Sequence, residues 1–100
     1  MAHERRFRFA LQLTHAATGG AWLAMARKAE ADGFAVLSMP DHFSEQFAPL
    51  VALSAAAAVT KSIRFSMFVL ANDMRHPGML AKEAATLDVI SNGRLELGVG

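Results

Sequence analysis

Four histidines, His3, His15, His42 and His76, are the side chains of this sequence best suited to moving a proton near neutral pH; an unperturbed imidazole titrates near pH ~6.5. His42 stands apart from the others because Pro40 and Asp41 precede it at the end of a short apolar run. So placed, it can serve as a general acid or base. The plainer alternative is a loop histidine that caps a turn. Asp41 can orient His42 through a hydrogen bond, or be a solvated turn carboxylate after Pro40. Asn72 and Asp73 follow a later apolar run. Each is either a hydrogen-bonding group for a ligand or a turn residue, with capping of the helix near Pro77 as a further option. Gly98 and Gly100 allow close approach of a ligand to the backbone, or simply tight packing. His15 reads as a loop residue, His76 as a helix-start residue, and His3 as part of a polar N-terminal segment. The histidines show no H-E-x-x-H or similar ligand spacing, so no metal site is expected. Cysteine is absent, which removes thiolate and disulfide chemistry and fits a reducing cytoplasm.

The elements that must position these residues alternate. Phe7, Phe9, Leu11 and Leu13 recur with period two and predict a first strand over 7–13, with one apolar face. Thr18, Gly19 and Gly20 break it. Trp22, Met25, Ala26 and Ala29 then form the apolar stripe of a helix over 21–32, ended by Gly33. Residues 34–39 form a second apolar run. Pro49 marks the next helix start, and Leu50, Leu53, Ala57 and Thr60 keep helical spacing. A third strand is predicted over 63–71, with Ile63, Phe65, Met67 and Val69 on one face. Pro77 opens a third helix carrying Leu80, Ala84 and Leu87, closed by Ser91, Asn92 and Gly93. Residues 94–99 form a fourth strand. Asp88 and Arg94 read as structural, at the end of the fold opposite the ligand face.

The order is therefore β-α-β-α-β-α-β, an α/β arrangement with four parallel strands and three right-handed crossover helices. Both an open doubly wound sheet and part of a (β/α)8 TIM barrel satisfy it. Polar residues and glycines gather after each strand: Thr14 and His15, Asp41 and His42, Asn72 and Asp73, and Gly98 with Gly100. In parallel β/α folds those ends share one face, where ligands bind. The first strand-to-helix turn lacks GxGxxG, which favours the barrel over a dinucleotide-binding sheet.

The chain has 100 residues, a net charge of +1, 53% hydrophobic and 19% charged residues. One core-forming domain over 1–100 is expected. There is no basic field for nucleic acid, no run near the ~20 apolar residues of a membrane span, and no signal-type apolar region near the N-terminus. A cytoplasmic protein is the expectation.

Residues 84–100, AATLDVISNGRLELGVG, resemble the A-x-TLD-x-(L/I)S-x-GR-x-x-LG-x-G signature of the luciferase-like monooxygenase superfamily. Residues 70–77, LANDMRHP, resemble the family's turn from strand three into helix three, and residues 39–43, MPDHF, its Asp-His end of strand two. The similarity runs from about Arg6 to Gly100 and is greatest to the branch that uses the deazaflavin coenzyme F420. It implies a (β/α)8 barrel, commonly a homodimer, with the cofactor at the C-terminal face and hydride transfer to or from a small-molecule substrate. It also implies a non-proline cis peptide near the end of strand three, at about Val69-Leu70-Ala71. Asp41 and His42 would lie beside the ring, with His42 as the proton-transfer group. Asp41, Leu70, Ala71, Asn72, Gly98 and Gly100 would contact the cofactor. An FMN-dependent monooxygenase and a non-catalytic half-barrel that self-associates are the alternatives. Because a barrel takes ~250 residues, the sequence reads as a truncated N-terminal part. Alone it is expected to associate through unpaired strand edges and to show little turnover.

Overall fold

A computed structural model describes residues 5–100; His3 lies outside the described residues. The elements are β1 (Ala10–Gln12), α1 (Gly19–Ala31), β2 (Val36–Met39), α2 (Pro49–Ala58), β3 (Arg64–Met67), a 3-10 turn (Asn72–Met74), α3 (Pro77–Ile90) and β4 (Leu95–Glu96). The four strands form one sheet in the order β1-β2-β3-β4. All neighbours are parallel, with Leu11 opposite Leu37, Leu37 opposite Phe65, and Phe65 opposite Leu95.

That row of apolar side chains explains the layering. Alternate residues of a strand point to opposite faces. Leu37, Met39, Phe65 and Met67 are fully buried in one cluster with Trp22, Ala26 and Ala29 of α1, Leu53 and Ala56 of α2, and Leu80 and Leu87 of α3. All three helices thus cover the same face. A doubly wound sheet would instead have helices on both faces and a reversal of strand order. Sequential order with one-sided helices is the geometry of a barrel sector. The opposite face carries Ala10, Gln12, Val36, Ser38, Ser66, Phe68 and Glu96 around a hollow of about 330 Å3. Toward its lower end, Glu96 accepts from both Arg8 (2.7 Å) and Arg64 (2.9 Å).

Helix boundaries follow local chemistry. Thr18 caps α1 by accepting from the Ala21 N–H at 3.0 Å, so Gly19 and Gly20 belong to the helix rather than to the break before it. Gly33 follows α1 at φ 89°, a conformation that glycine adopts at no steric cost. Pro49 and Pro77 open α2 and α3. The cap of α3 is His76, whose Nδ1 accepts from the Gly78 N–H at 3.0 Å; it is neither Asn72 nor Asp73, which belong to the preceding 3-10 turn.

The strands are shorter than their apolar runs. Phe7 and Phe9 share the parity of Leu11 but are 91% and 68% exposed; no helix covers that end of the chain. The alternation of β3 also shifts. Phe65 and Met67 are buried, Val69 is partly exposed, and Leu70 is buried instead. The shift spans the Phe68–Val69 peptide, which is cis. The cis bond therefore lies just before the stretch 69–71, where the resemblance had put it. Among the described residues no helix is long and apolar enough to cross a membrane.

The N-terminal end of the sheet is locked by two charged side chains. Arg94 is buried and directs its N–H groups to five acceptors. Nε bonds the Ser91 carbonyl (2.6 Å). Nη1 bonds Thr60 Oγ1 (2.8 Å) and the Ile63 carbonyl (3.2 Å). Nη2 bonds the carbonyls of Ala57 (2.9 Å) and Thr60 (3.2 Å). Its guanidinium also lies 5.1 Å from the centre of the Phe65 ring. Glu30, at the end of α1, accepts from the N–H groups of Lys61, Ser62 and Ile63 at 2.7–3.0 Å. Burial raises its carboxyl, but these hydrogen bonds outweigh that and lower it from 4.5 to about 2.

Arg94→Met should therefore leave several buried carbonyls unpaired and cost about 3 kcal/mol or more, read as a fall in the urea midpoint. Glu30 gives a pH-dependent contribution with a definite sign. Its folded value lies below its unfolded value, so the stabilisation is complete above about pH 4.5 and is lost as the pH falls toward 2. In thermal unfolding across that window, Glu30→Gln should flatten the dependence relative to the parent chain.

Candidate functional site

The C-terminal ends of four parallel strands necessarily emerge on one rim. After β2, Met39 and Pro40 are buried, and the chain turns outward through Asp41 and His42. Gln46 holds that loop. Its Oε1 accepts from the His42 N–H (2.9 Å), and its Nε2 donates to the carbonyls of Pro40 (2.8 Å) and Phe47 (2.9 Å). The loop is tied to the end of β1 by the Phe47 N–H, which donates to the Thr14 carbonyl at 2.9 Å. Phe47 also packs edge-on against Trp22, with ring centres 5.4 Å apart. His42 is therefore fixed at its backbone while its ring is exposed.

Asp41 faces inward. Its Oδ2 accepts from the Ala71 N–H at 2.8 Å and pairs with the Arg75 guanidinium. Burial raises the Asp41 carboxyl; the Arg75 hydrogen bond and then the Ala71 N–H outweigh it, so the carboxyl lies below the usual carboxylate value. Asp41, His42, Phe43, Ala71, Met74 and Arg75 border a cleft of about 650 Å3 between the loops that follow β2 and β3.

Past β3 the chain joins the end of β4. The Leu70 N–H donates to the Gly98 carbonyl (2.9 Å), the Gly100 N–H to the Leu70 carbonyl (3.1 Å), and the Asn72 N–H to the Gly100 carbonyl (3.3 Å). The glycines are needed for this contact. A Cβ on Gly98 would lie 2.1 Å from the Met67 carbonyl oxygen, and one on Gly100 would lie 2.6 Å from Val69 Cγ2. Asp41, Ala71, Asn72, Gly98 and Gly100 thus meet at one rim with His42, while Leu70 is buried beneath it.

The remaining histidines stand apart. His15 is exposed and bonds Thr14 Oγ1 at 2.8 Å, and His76 is spent as a helix cap. No cluster of three or more His, Asp or Glu side chains suited to a metal occurs among the described residues. Three rim residues were given no site role from the sequence: Arg75, Gln46 and Phe68. Arg75 pairs with a residue 34 positions away, and no local pattern signals that.

A family model for luciferase-like monooxygenases matches residues 6–100. The chain belongs to that family. Among its relatives is an uncharacterized protein of Mycobacterium tuberculosis, 34% identical over 100 aligned residues, with 77% of this chain and 36% of that protein covered. A second, from Sinorhizobium fredii, is 33% identical over 75 residues, with 71% and 21% covered. The chain spans about a third of the length of the first of these relatives. Among solved structures, the coenzyme F420-dependent tetrahydromethanopterin reductase of Methanopyrus kandleri superposes with a TM-score of 0.83 at 29% identity, over 93% of this chain and 26% of that one. The oxygenating constituent of 3,6-diketocamphane monooxygenase of Pseudomonas putida, solved with FMN, gives 0.80 at 26% identity, over 93% and 29%. The fold is accordingly that of the N-terminal part of a (β/α)8 barrel of the luciferase-like kind.

Coenzyme F420 and FMN, named for these two structures, both carry a planar tricyclic ring. Such a ring needs an apolar wall and polar partners at its edge. The rim has a wall in Phe68, 75% exposed, and Val69 beside it. The side chains of His42 and Asn72 are exposed and form no hydrogen bond among the described residues, so they are free to meet polar edges. Arg75, a cation bordering the cleft, is already paired with Asp41. The residues present fit the ring of such a cofactor rather than its phosphate.

Proposed function

We propose that the chain forms the ring-facing half of an oxidoreductase site that transfers hydride between coenzyme F420 and a small organic substrate. The observation that carries this reading is the Asp41–Ala71 hydrogen bond, which holds the loop carrying His42 against the Phe68–Asn72 segment at the C-terminal rim of a luciferase-like barrel sector. When bound, the deazaflavin would supply a hydride to an electron-poor carbon, or accept one from an alcohol-like carbon. His42 supplies the matching proton, or takes it up, from a ring whose position is set by the Gln46-braced loop. Asn72 offers both a donor and an acceptor to the cofactor edge. Phe68 and Val69 exclude water from one face of it. Asp41, Leu70, Ala71, Gly98 and Gly100 act through the backbone they organise. An FMN-dependent monooxygenase is the second reading, favoured by the FMN-bound structural relative.

Absorbance titrations with F420 and with FMN separate the two. Saturable binding of F420 with none of FMN is expected; the reverse outcome transfers the assignment to the flavin. In the protein that turns over, His42→Asn should lower kcat by about a hundredfold while leaving cofactor Kd within a few fold. A wild-type kcat in that variant would remove His42 from the mechanism.

We also propose that the protein is a homodimer built on the outer faces of α2 and α3. Helix α2 has no charged residue over Pro49–Ala58, a composition typical of a helix covered on all sides. Yet Val51 is 74% exposed, and Met79 and Ile90 of α3 stand exposed beside it. Lys82 and Glu83 border the same groove, so a two-fold copy meets charges complementary to its own. Sedimentation at micromolar concentration should give a dimer, and Val51→Glu should shift it toward monomer. A wild-type monomer would refute this assembly.

A further inference from the structure

The segment between β3 and the 3-10 turn forms part of the rim, and its two sides are held very differently. Backbone pairing with β2 ends where the Phe68 N–H donates to the Met39 carbonyl at 2.9 Å. On the β4 side, pairing continues through Leu70, Asn72, Gly98 and Gly100. On the β2 side, side chains take over. The Ala71 N–H donates to Asp41 Oδ2 at 2.8 Å. Arg75 Nη1 donates to the same carboxylate oxygen and, at 3.2 Å, to the Ala71 carbonyl. Both peptide groups flanking Ala71 are thereby tied to the loop that carries His42. Both side chains are largely withdrawn from solvent, with Asp41 12% and Arg75 22% exposed.

We infer that Arg75 is a positioning residue, which with Asp41 clasps Ala71 and fixes the Phe68–Asn72 surface relative to His42. This rests on the proposed cofactor site and deepens it. The chemistry favours arginine at the position. One guanidinium nitrogen serves two acceptors at once while the planar group stays charged, whereas an ammonium is a flexible point charge. The clasp also explains why Asp41 is a poor proton carrier. Its Oδ2 already accepts two hydrogen bonds, one of them from a cation. Proton movement is left to His42, and alignment to Asp41 and Arg75. Without the clasp, the Ala71 N–H would lose its partner and the Ala71 carbonyl would keep only the Met74 N–H at 3.1 Å.

Two readouts test this in the intact protein: the Kd for F420 and FMN by absorbance titration, and amide hydrogen exchange at Ala71. Arg75→Met is expected to weaken binding of whichever cofactor is taken up by about tenfold and to speed Ala71 exchange by a similar factor. Arg75→Lys should fall between the variant and the parent. The unfolding midpoint serves as the control, because a purely structural role would lower it without changing the Kd of the folded protein. An unchanged Kd in Arg75→Met overturns the inference, whatever the exchange rate does. If Arg75→Met does not fold, Arg75→Lys and Asp41→Glu carry the same test, and parental Kd values in both overturn it. If the parent protein binds neither cofactor, the proposed function fails instead. Ala71 exchange then decides the clasp alone, and parental protection in the Arg75 variants refutes it.

Discussion

Everything here follows from four strands running the same way in sequential order, with their helices on one face. Under that constraint each helix-to-strand connection arrives at one end of the sheet and each strand-to-helix connection leaves from the other. The two ends then have different tasks. At the arriving end, polar groups have to be satisfied internally, because unpaired buried carbonyls and amides are costly. Arg94 and Glu30 do this by bonding the carbonyls at 57, 60, 63 and 91 and the amides at 61–63. At the leaving end, the His42 and Asn72 side chains are exposed and form no hydrogen bonds among the described residues. The foot is thus closed by satisfied charges, whereas the rim carries, beside the Asp41–Arg75 pair, exposed polar side chains with hydrogen-bonding capacity to spare.

The rim is not simply where strands stop. After Met67 the buried position passes to Leu70, and the backbone leaves β2 to follow the end of β4. Phe68, on the same strand face as Ser66, points to the hollow it shares with Ser38 and Ser66. A large apolar side chain left exposed beside serines would be a poor way to finish a core. Such a surface suits the face of a flat ligand.

Much of this was legible in the sequence, for identifiable reasons. Helices were readable because the stripes Trp22-Ala26-Ala29, Leu50-Leu53-Ala57 and Leu80-Ala84-Leu87 each bury a face, and because Pro49, Pro77 and Gly33 mark boundaries through backbone geometry. Strand direction followed from the crossover helices. The groups at strand ends could be placed on one rim for the same reason. Strand length was less legible. Phe7 and Phe9 continue the alternation of Leu11 but outrun the helices, and burial depends on the partner layer rather than on the strand's own pattern. The Asp41–Arg75 pair was hidden because long-range ion pairs carry no periodicity. Gln46 was hidden because a side chain that braces its own loop looks like any polar loop residue.

The two terminal glycines show how a motif can be specific without touching a ligand. In the sequence, Gly98 and Gly100 suit either close approach by a cofactor or packing. The Met67 carbonyl occupies the place a Cβ on Gly98 would take, 2.1 Å away, and Val69 crowds Gly100. The end of β4 can hydrogen-bond to Leu70 and Asn72 only if it comes that close to the shifted end of β3. A side chain at 98 would push the two strands apart and loosen the peptides that lie behind Phe68 and Val69. Glycine is therefore required here by the protein's own backbone. Its contribution to a bound ring, as for Asp41 and Arg75, is to hold the surface the ring would meet.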